Sequence, residues 1–463
     1  MSELRLQPHQ QRVVNRLMAN DAPHGLIAYH STGSGKTATA LAALAKALKD
    51  KNSRGLMITP ASLVTNVQKE RDKHSIRLNG TLDVMSYERA VRRADELQNN
   101  RYDMVVLDEA HRLRNAGTKM SRELRPLLDK SGKVLMLTGT ASYNHPADML
   151  RLVNLIDKRV HAPKTNTEFN RAYVDEVRWR LKNKKKLGDT LRRYVDLYET
   201  PKDSADFPSI SRRVVNVDMS PEQMKLYRYL EQKLPLHLRG KVRNNLPMSL
   251  QESTNLNVFA TGIRQASDSV MHHDVNGDPY NSPKLRMAAN NMVAAARRTP
   301  GFRGMTYSNY IDAGLTPYAQ MLKRRGISPY LFTGGLSAKE KKRIIDDYNT
   351  PSKDPKVLLV SSSGSEGLDL KNTRLLQVLE PHFNLAKIRQ VEGRGARYKS
   401  HESLPPEQRK LLIEEYRAKF PKTWAQKLFG LRRDTAIDDY LAELAEKKQG
   451  ITDEMRGLLA TKH

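Results

Sequence analysis

Residues 28–40 read AYHSTGSGKTATA, a glycine-rich loop between a short apolar run and an alanine-rich, helix-forming segment. The loop nearly matches the phosphate-binding pattern G-x-x-x-x-G-K-[ST], but His30 stands where the first glycine belongs. Gly33 and Gly35 let backbone N–H groups turn towards a phosphate at the N-terminus of the helix. Because the first glycine shapes the loop more than its chemistry, we predict a working nucleotide site. A plain Gly/Ser/Thr turn before a helix is the alternative.

An acidic pair at the end of a second apolar run supports the nucleotide interpretation. The run is DMVVLDEAH, residues 103–111. Lys36 would neutralise the β- and γ-phosphates, and Thr37 would offer its hydroxyl to Mg²⁺. Asp108 would hold the same Mg²⁺, while Glu109 would polarise the attacking water. The sequence therefore predicts ATP and Mg²⁺ as cofactors. The loop residues predicted to surround the phosphates are His30, Ser31, Thr32, Gly33, Ser34, Gly35, Lys36 and Thr37.

Apolar runs that end in polar residues alternate with helix-forming segments in two stretches of the chain. The first stretch contains GLMITP (55–60) and KVLMLTGT (133–140), and the second contains KVLLVSSSG (356–364) and RLLQVLEP (374–381). This alternation is typical of α/β domains with parallel sheets, whose sites lie at the carboxyl ends of the strands. We therefore predict an α/β fold with two parallel-sheet lobes. The predicted parts are a first lobe over 1–156, a basic, mainly helical insertion over 157–281, a second lobe over 282–400 and a helical tail over 401–463.

Charge is the strongest compositional signal. The 463 residues include 79 Lys and Arg against 51 Asp and Glu, which gives a formal net charge of +28. An excess this large favours a polyanionic partner, and we predict nucleic acid ahead of an anionic membrane or an acidic protein. The chain has no cysteine, which excludes disulfides and thiol catalysis. Because no apolar run approaches ~18 residues and no signal peptide is apparent, we expect no membrane span. We expect a cytoplasmic location, with packaging into a virion as the alternative.

The order of motifs along the chain resembles one family. TGSGKT followed by DEAH resembles motifs I and II of the superfamily 2 helicases and translocases, and the finer match is to the Swi/Snf-type double-stranded-DNA translocases. The resemblance covers about residues 4–451. The other segments that carry it are LQPHQQRVVNRL (6–17), PASLVTNVQKE (60–70), VLDEAHRLRN (106–115), LTGTASYNHPADMLRLVNLI (137–156), SSSGSEGLDLKNT (361–373) and EPHFNLAKIRQVEGRGAR (380–397).

The resemblance implies two RecA-like lobes, an ATP site and a duplex-DNA partner. By their positions in the matching motifs, Gln10 would read the adenine and Gly367 would lie at the nucleotide. Arg394 and Arg397 would be the arginine fingers, which reach the γ-phosphate when the lobes close. The residues at the family's strand-contact motifs, where phosphate contacts would be independent of base sequence, are Ser62, Tyr87, Thr333 and Ser363.

Some positions depart from the family pattern. Ala141 replaces the proline of motif III, Asp369 stands where the family usually has Asn, and RYKSH follows motif VI in place of R-I-G-Q. With the compact size of the chain, this last segment resembles the poxvirus nucleoside triphosphatase and related virus- and phage-encoded enzymes. A chromatin-type role is therefore not expected.

These features together predict an ATP-dependent translocase of virus or phage type that moves on duplex DNA. Only 6% of the residues are aromatic, which leaves little material for a wedge that separates strands. One alternative is a DEAH-type helicase that unwinds RNA or single strands. The other is a transcription or packaging factor whose ATPase is secondary to its contacts with viral or host proteins.

Overall fold

Two compact units make up the chain. Unit 1 comprises Met1–Pro201 together with Gln449–His463, and unit 2 comprises Lys202–Lys448. The structure is a computed structural model that describes residues 6–31, 33–139, 145–176, 178–199, 206–271, 281–364, 368–383, 385–397, 399–430 and 434–460.

A six-stranded parallel sheet forms the centre of unit 1. The strands of the unit are β1 (Gly25–His30), β2 (Arg54–Thr59), β3 (Thr81–Ser86), β4 (Met104–Asp108), β5 (Lys133–Thr138), β6 (Val174–Asp175), β7 (Arg180–Leu181) and β8 (Val195–Tyr198). The sheet order is β3-β2-β4-β5-β1-β8, and β6 pairs with β7 in a separate antiparallel ribbon. β1 and β4 are buried along their whole length, as parallel strands are when helices cover both faces.

Helices pack on both sides of this sheet. They are α1 (Pro8–Met18), α2 (Lys36–Ala47), α3 (Val64–Lys73), α4 (Tyr87–Arg92), α5 (Ala94–Asn99), α6 (Lys119–Lys130), α7 (Ala147–Ile156), α8 (Asn166–Tyr173) and α9 (Lys184–Tyr194), with 3₁₀ turns at Ala61–Leu63 and Ala110–Leu113. α1 and α2 belong to one apolar core, because Val13 and Leu17 of α1 and Leu41 and Leu44 of α2 are all buried there. The phosphate-loop helix is thereby fixed against the sheet on its apolar side.

Unit 2 has a second six-stranded parallel sheet. Its strands are β9 (Ser209–Asp218), β10 (Arg303–Ser308), β11 (Tyr330–Phe332), β12 (Lys356–Ser361), β13 (Leu375–Val378) and β14 (Lys410–Lys419), in the order β11-β12-β10-β13-β14-β9. The α-helices that complete the fold are α10 (Pro221–Glu231), α11 (Leu236–Arg243), α12 (Leu250–Phe259), α13 (Thr261–Asp268), α14 (Pro283–Arg298), α15 (Thr316–Lys323), α16 (Ala338–Asn349), α17 (Leu385–Gly395), α18 (Trp424–Leu428) and α19 (Ile437–Leu459).

The predicted α/β class with two parallel-sheet lobes is confirmed by these two sheets. The expected carboxyl-terminal placement of the polar residues also holds, since β4 ends at Asp108 and β1 ends at His30. Among the described residues, no helix is both long and apolar enough to cross a bilayer.

The division of the chain differs from the four predicted parts. β8 and β9 lie within the predicted insertion 157–281, yet β8 pairs with β1 and β9 joins the second sheet. The tail 401–463 was expected to be helical, and this is wrong for Lys410–Lys419, which forms β14 between β13 and β9. Each of these strands is stabilised by a neighbour distant in sequence, and such pairing leaves no local periodic signal.

Candidate nucleotide site

The glycine-rich loop after β1 has the backbone shape of a phosphate cradle. Gly33 and Gly35 adopt φ of 84° and 76°, in the left-handed region that favours glycine. A Cβ on Gly35 would overlap the side-chain amide of Gln10. α2 begins at Lys36 with no side-chain cap among the described residues, so its first N–H groups and helix dipole are directed into the loop. This is the arrangement that binds phosphate. Thr32 lies outside the described residues.

Lys36 and Gln10 bond to the carbonyl groups of the loop itself. The Lys36 ammonium donates to the carbonyls of His30 at 3.0 Å and Ser31 at 3.1 Å. The Gln10 amide donates to Ser34 O at 3.1 Å, while its Oε1 accepts from Gln7 N at 2.8 Å. Gln10 therefore braces the loop. Its predicted contact with adenine stays a prediction.

Asp108 is a buried carboxylate at the carboxyl end of β4, with 7% of its surface exposed. Its Oδ2 accepts from Thr59 Oγ1 at 3.0 Å and its Oδ1 from the Glu109 backbone N–H at 3.0 Å. Burial and the neighbouring Glu109 raise the pKa of Asp108 to about 6. A divalent cation would compensate a desolvated carboxylate of this kind, so the side chain fits a Mg²⁺ ligand. Thr37 is half-buried in the first turn of α2.

Glu109 has a strained backbone, with φ of 50° in the left-handed region. Its carboxylate Oε2 lies 3.3 Å from Nδ1 of His111, and the same ring nitrogen lies 3.2 Å from the hydroxyl of Thr138 at the end of β5. The second acid is thereby tied to the next strand of the sheet. This orientation suits a group that positions a water molecule.

His30 has a structural partner that explains the departure from the loop pattern. The side chain is fully buried, and its Nε2 lies 2.9 Å from Oδ1 of Asp196 on β8. The other oxygen of Asp196 accepts from Arg12 Nε at 2.8 Å and from Arg16 Nη1 at 3.0 Å. Burial raises the pKa of Asp196, but hydrogen bonds from His30 and Arg12 outweigh it and hold the pKa well below the ordinary range. Position 30 thus does more than shape the loop.

A second contact between β8 and the loop involves two stacked rings. The rings of His9 and Tyr198 lie 3.6 Å apart between centroids with 3° between their planes. His9 Nε2 lies 2.9 Å from Ser34 O, and Ser31 N donates to Tyr198 O at 3.0 Å. Burial lowers the pKa of His9, which favours the neutral ring. Nothing in the sequence around His9, Asp196 or Tyr198 signals these contacts, because their partners are distant along the chain.

The two candidate arginine fingers belong to unit 2. Arg394 lies in the last turn of α17, and Arg397 follows the end of that helix. Arg397 Nη1 lies 3.3 Å from Oδ1 of Asp369, and this ion pair accounts for the residue that replaces the usual Asn. Gly367, predicted at the nucleotide, and Ala141 lie outside the described residues.

The four predicted strand contacts are placed differently from one another. Ser62 and Ser363 are exposed, and Thr333 is half-buried. A Cβ on Gly334 would overlap the Ser363 side chain, so the loops that carry Thr333 and Ser363 touch. Tyr87 was expected to contact nucleic acid, and this is wrong: the ring is fully buried and its hydroxyl donates to Asp108 O at 2.7 Å. It supports the acidic pair instead.

Comparison with known families and proteins agrees with this geometry. The SNF2-related domain matches residues 67–269, the helicase conserved C-terminal domain matches 284–399, and the DEAD/DEAH box helicase pattern matches 7–93. The first two matches fall on the acidic pair and on the candidate arginine fingers, respectively.

Viral proteins are among the relatives with similar sequences. A protein of Acanthamoeba polyphaga mimivirus named ATP-dependent RNA helicase L538 is 28% identical over 97% of this chain and 95% of its own length. The termination factor NPH-I homolog of African swine fever virus is 26% identical over 94% of this chain and 75% of its own length. The SWI2/SNF2 ATPase core of Sulfolobus solfataricus, solved with double-stranded DNA, covers 100% of this chain and 98% of its own at 18% identity, with a TM-score of 0.40.

Proposed function

We propose that this chain is a superfamily 2 ATPase of the Swi/Snf type, and that it uses ATP to move along duplex DNA without separating the strands. The observation that carries the proposal is the pairing of a phosphate cradle after β1 with two acids at the carboxyl end of β4, within one parallel sheet. The carboxyl ends of parallel strands share one edge of a sheet, where nucleotides bind.

ATP with Mg²⁺ fits the side chains at this edge. Lys36 and the N-terminus of α2 would neutralise the phosphate oxygens, and Thr37 with Asp108 would hold the cation. Glu109 would orient the water that attacks the γ-phosphate. The bound nucleotide supplies a phosphoanhydride bond whose hydrolysis drives movement. Arg397 of unit 2 would complete the charge stabilisation during turnover.

Duplex DNA is favoured by charge and by the Swi/Snf pattern. The net charge of +28 suits a polyanion, and hydroxyls such as Ser62 and Ser363 would bond to phosphates without reading bases. We therefore expect affinity for DNA to fall with salt at a slope of about −0.9 per phosphate contact. We also expect similar affinity for DNA molecules of unrelated sequence. Viral or host transcription or packaging proteins are the proposed protein partners.

Nucleic-acid-stimulated phosphate release tests the proposal. ATPase rates are measured in parallel with no nucleic acid, duplex DNA, single-stranded DNA and RNA. Duplex DNA should give the largest stimulation. Stimulation by RNA or single strands above duplex DNA would contradict the choice of partner, and no stimulation by any of them would contradict the translocase itself.

Strand separation is the second candidate, because unit 2 exposes aromatic side chains that the composition did not suggest. Trp424 is 74% exposed, Phe429 68% and Phe259 51%. Aromatic side chains stack on unpaired bases and can act as a wedge at a fork. If the second candidate is correct, Trp424→Ala should reduce fork unwinding while basal ATPase is kept.

A further inference from the structure

We propose that Asp196 and Tyr198, both on β8, are positioning residues for ATP. They fix α1 and the two ends of the phosphate loop in the shape that binds nucleotide. The inference rests on the proposed ATP site and adds to it a strand that lies outside the sequence motifs of that site. β8 lies beside β1 in the sheet and pairs with it from Ile27 opposite Val195 to His30 opposite Tyr198. Its side chains therefore reach the start of the loop.

Asp196 anchors the beginning of the loop and the helix before it. One carboxylate, 1% exposed, accepts from His30 on the loop and from Arg12 and Arg16 on α1. Arg12 Nη2 also donates to Leu197 O at 2.9 Å, and Arg16 Nη1 donates to Val195 O at 3.1 Å. α1 is therefore tied to both the side chain and the backbone of β8. No other position on β8 could replace these contacts, because Asp196 is its only acid.

Tyr198 anchors the end of the loop through a stacked ring. Its ring lies flat on His9, and His9 shares the carbonyl of Ser34 with Gln10. Its backbone carbonyl accepts from Ser31 N at the other end of the same loop. Stacking restricts the His9 ring to one orientation, which fixes where the Ser34 carbonyl points. Because a trans peptide is planar, the N–H of Gly35 then points away from His9, as a phosphate ligand would require.

The two anchors are expected to act on nucleotide affinity more than on the chemical step. A loop held in its binding shape has no conformations to lose when phosphate arrives. If a substitution lowers the fraction of loops in that shape about tenfold, the apparent dissociation constant for ATP rises about tenfold. Lys36, Asp108 and Glu109 keep their own contacts, so turnover at saturating ATP should change little.

Asp157 provides a matched control for a purely structural role. It is a mostly buried carboxylate of unit 1, bonded to Arg159 Nη2 at 2.8 Å and to Tyr194 Oη at 2.7 Å. It touches neither α1 nor the loop in these contacts. Asp157→Asn should lower the melting temperature without changing KM for ATP.

Steady-state ATPase kinetics with the full chain, together with melting temperatures, test the proposal. Asp196→Asn and Tyr198→Ala should each raise KM for ATP about tenfold while kcat stays within about threefold. Tyr198→Phe, which keeps the stacked ring, should restore the wild-type KM. In a double-mutant cycle, the free-energy change calculated from KM for the variant with both His30→Gln and Asp196→Asn should be smaller than the sum of the changes for the two single variants.

The outcomes separate this inference from the proposed function. If KM is unchanged in folded Asp196→Asn and Tyr198→Ala proteins, or rises equally in Asp157→Asn, the positioning role is wrong while the ATP site stands. If wild-type protein neither binds nor hydrolyses ATP, the proposed function itself is wrong. Should Asp196→Asn fail to fold, the pair Tyr198→Ala and Tyr198→Phe decides the question, because Tyr198 is not part of the buried ion cluster.

Discussion

The ammonium of Lys36 lies 3.0 Å from the carbonyl oxygen of His30, inside the loop that it would share with a phosphate. Lys36 thus bonds to two loop carbonyls, and a bound phosphate would compete with them as its partner. His30 takes part twice, because its backbone holds Lys36 while its side chain bonds to Asp196.

Lys36→Ala should remove most ATP hydrolysis, by about 10²–10³ in rate, since it deletes an electrostatic contact to the transition state. Lys46→Ala is the matched control, because Lys46 is exposed near the end of the same helix and should leave the rate unchanged. Phosphate release under saturating ATP measures both. Normal hydrolysis by Lys36→Ala would contradict the assignment of the loop.

Arg397→Ala should leave ATP binding nearly intact and slow turnover by roughly 10³, as the loss of an arginine finger does. Asp369→Asn tests its ion-pair partner. The pair is solvent-exposed, with Arg397 27% and Asp369 62% exposed, so its loss should be worth at most about 1 kcal/mol. Turnover should therefore stay the same or rise by no more than about fivefold. If Asp369→Asn turned over ATP as slowly as Arg397→Ala, Arg397 would need its ion pair with Asp369 in order to act.

The ion cluster on Asp196 should stabilise the fold at neutral pH and lose its effect in acid. Although burial raises the pKa of Asp196, hydrogen bonds from His30 and Arg12 lower it below the ordinary value of 3.8. A depressed carboxyl pKa contributes stability that is present above the unfolded value and lost as the pH falls through the folded one. In a His30→Gln background, in which Arg12 and Arg16 remain as partners of the carboxylate, Asp196→Asn should lower the unfolding free energy equally from about pH 8 to about pH 5. The difference should shrink below about pH 4. A difference that instead grows in acid would contradict the depressed pKa.

Lys284→Met should destabilise unit 2 by about 3–5 kcal/mol, because it leaves buried carboxylates without their cation. The Lys284 ammonium lies 2.6 Å from Asp268 Oδ1 and 2.9 Å from Asp438 Oδ2, and all three side chains are at most 1% exposed. Lys342→Met, at an exposed position on α16, should change the unfolding free energy by less than about 0.5 kcal/mol. Urea unfolding of both variants measures the difference. Equal midpoints would show that the cluster does not need its lysine.

What the sequence predicted well was encoded locally. The apolar runs and their polar ends predicted the central strands of both sheets, and the short spacing from Gly33 to Thr37 predicted the loop. What it missed depends on contacts between distant segments. His30 and Asp196 are 166 residues apart, and nothing near either residue signals the pair. Tyr87 was placed at the nucleic acid because its motif position could not reveal that its ring is buried behind Asp108.

Triplex displacement is the most direct test of movement on duplex DNA without strand separation. A labelled third strand is bound to duplex DNA, and a forked duplex is assayed in the same buffer, each with wild-type protein and with Lys36→Ala. The proposed translocase should release the third strand as ATP is consumed and leave the fork paired, whereas Lys36→Ala should leave both the triplex and the fork intact. Efficient unwinding of the fork with the triplex left intact would contradict the account and favour the helicase alternative.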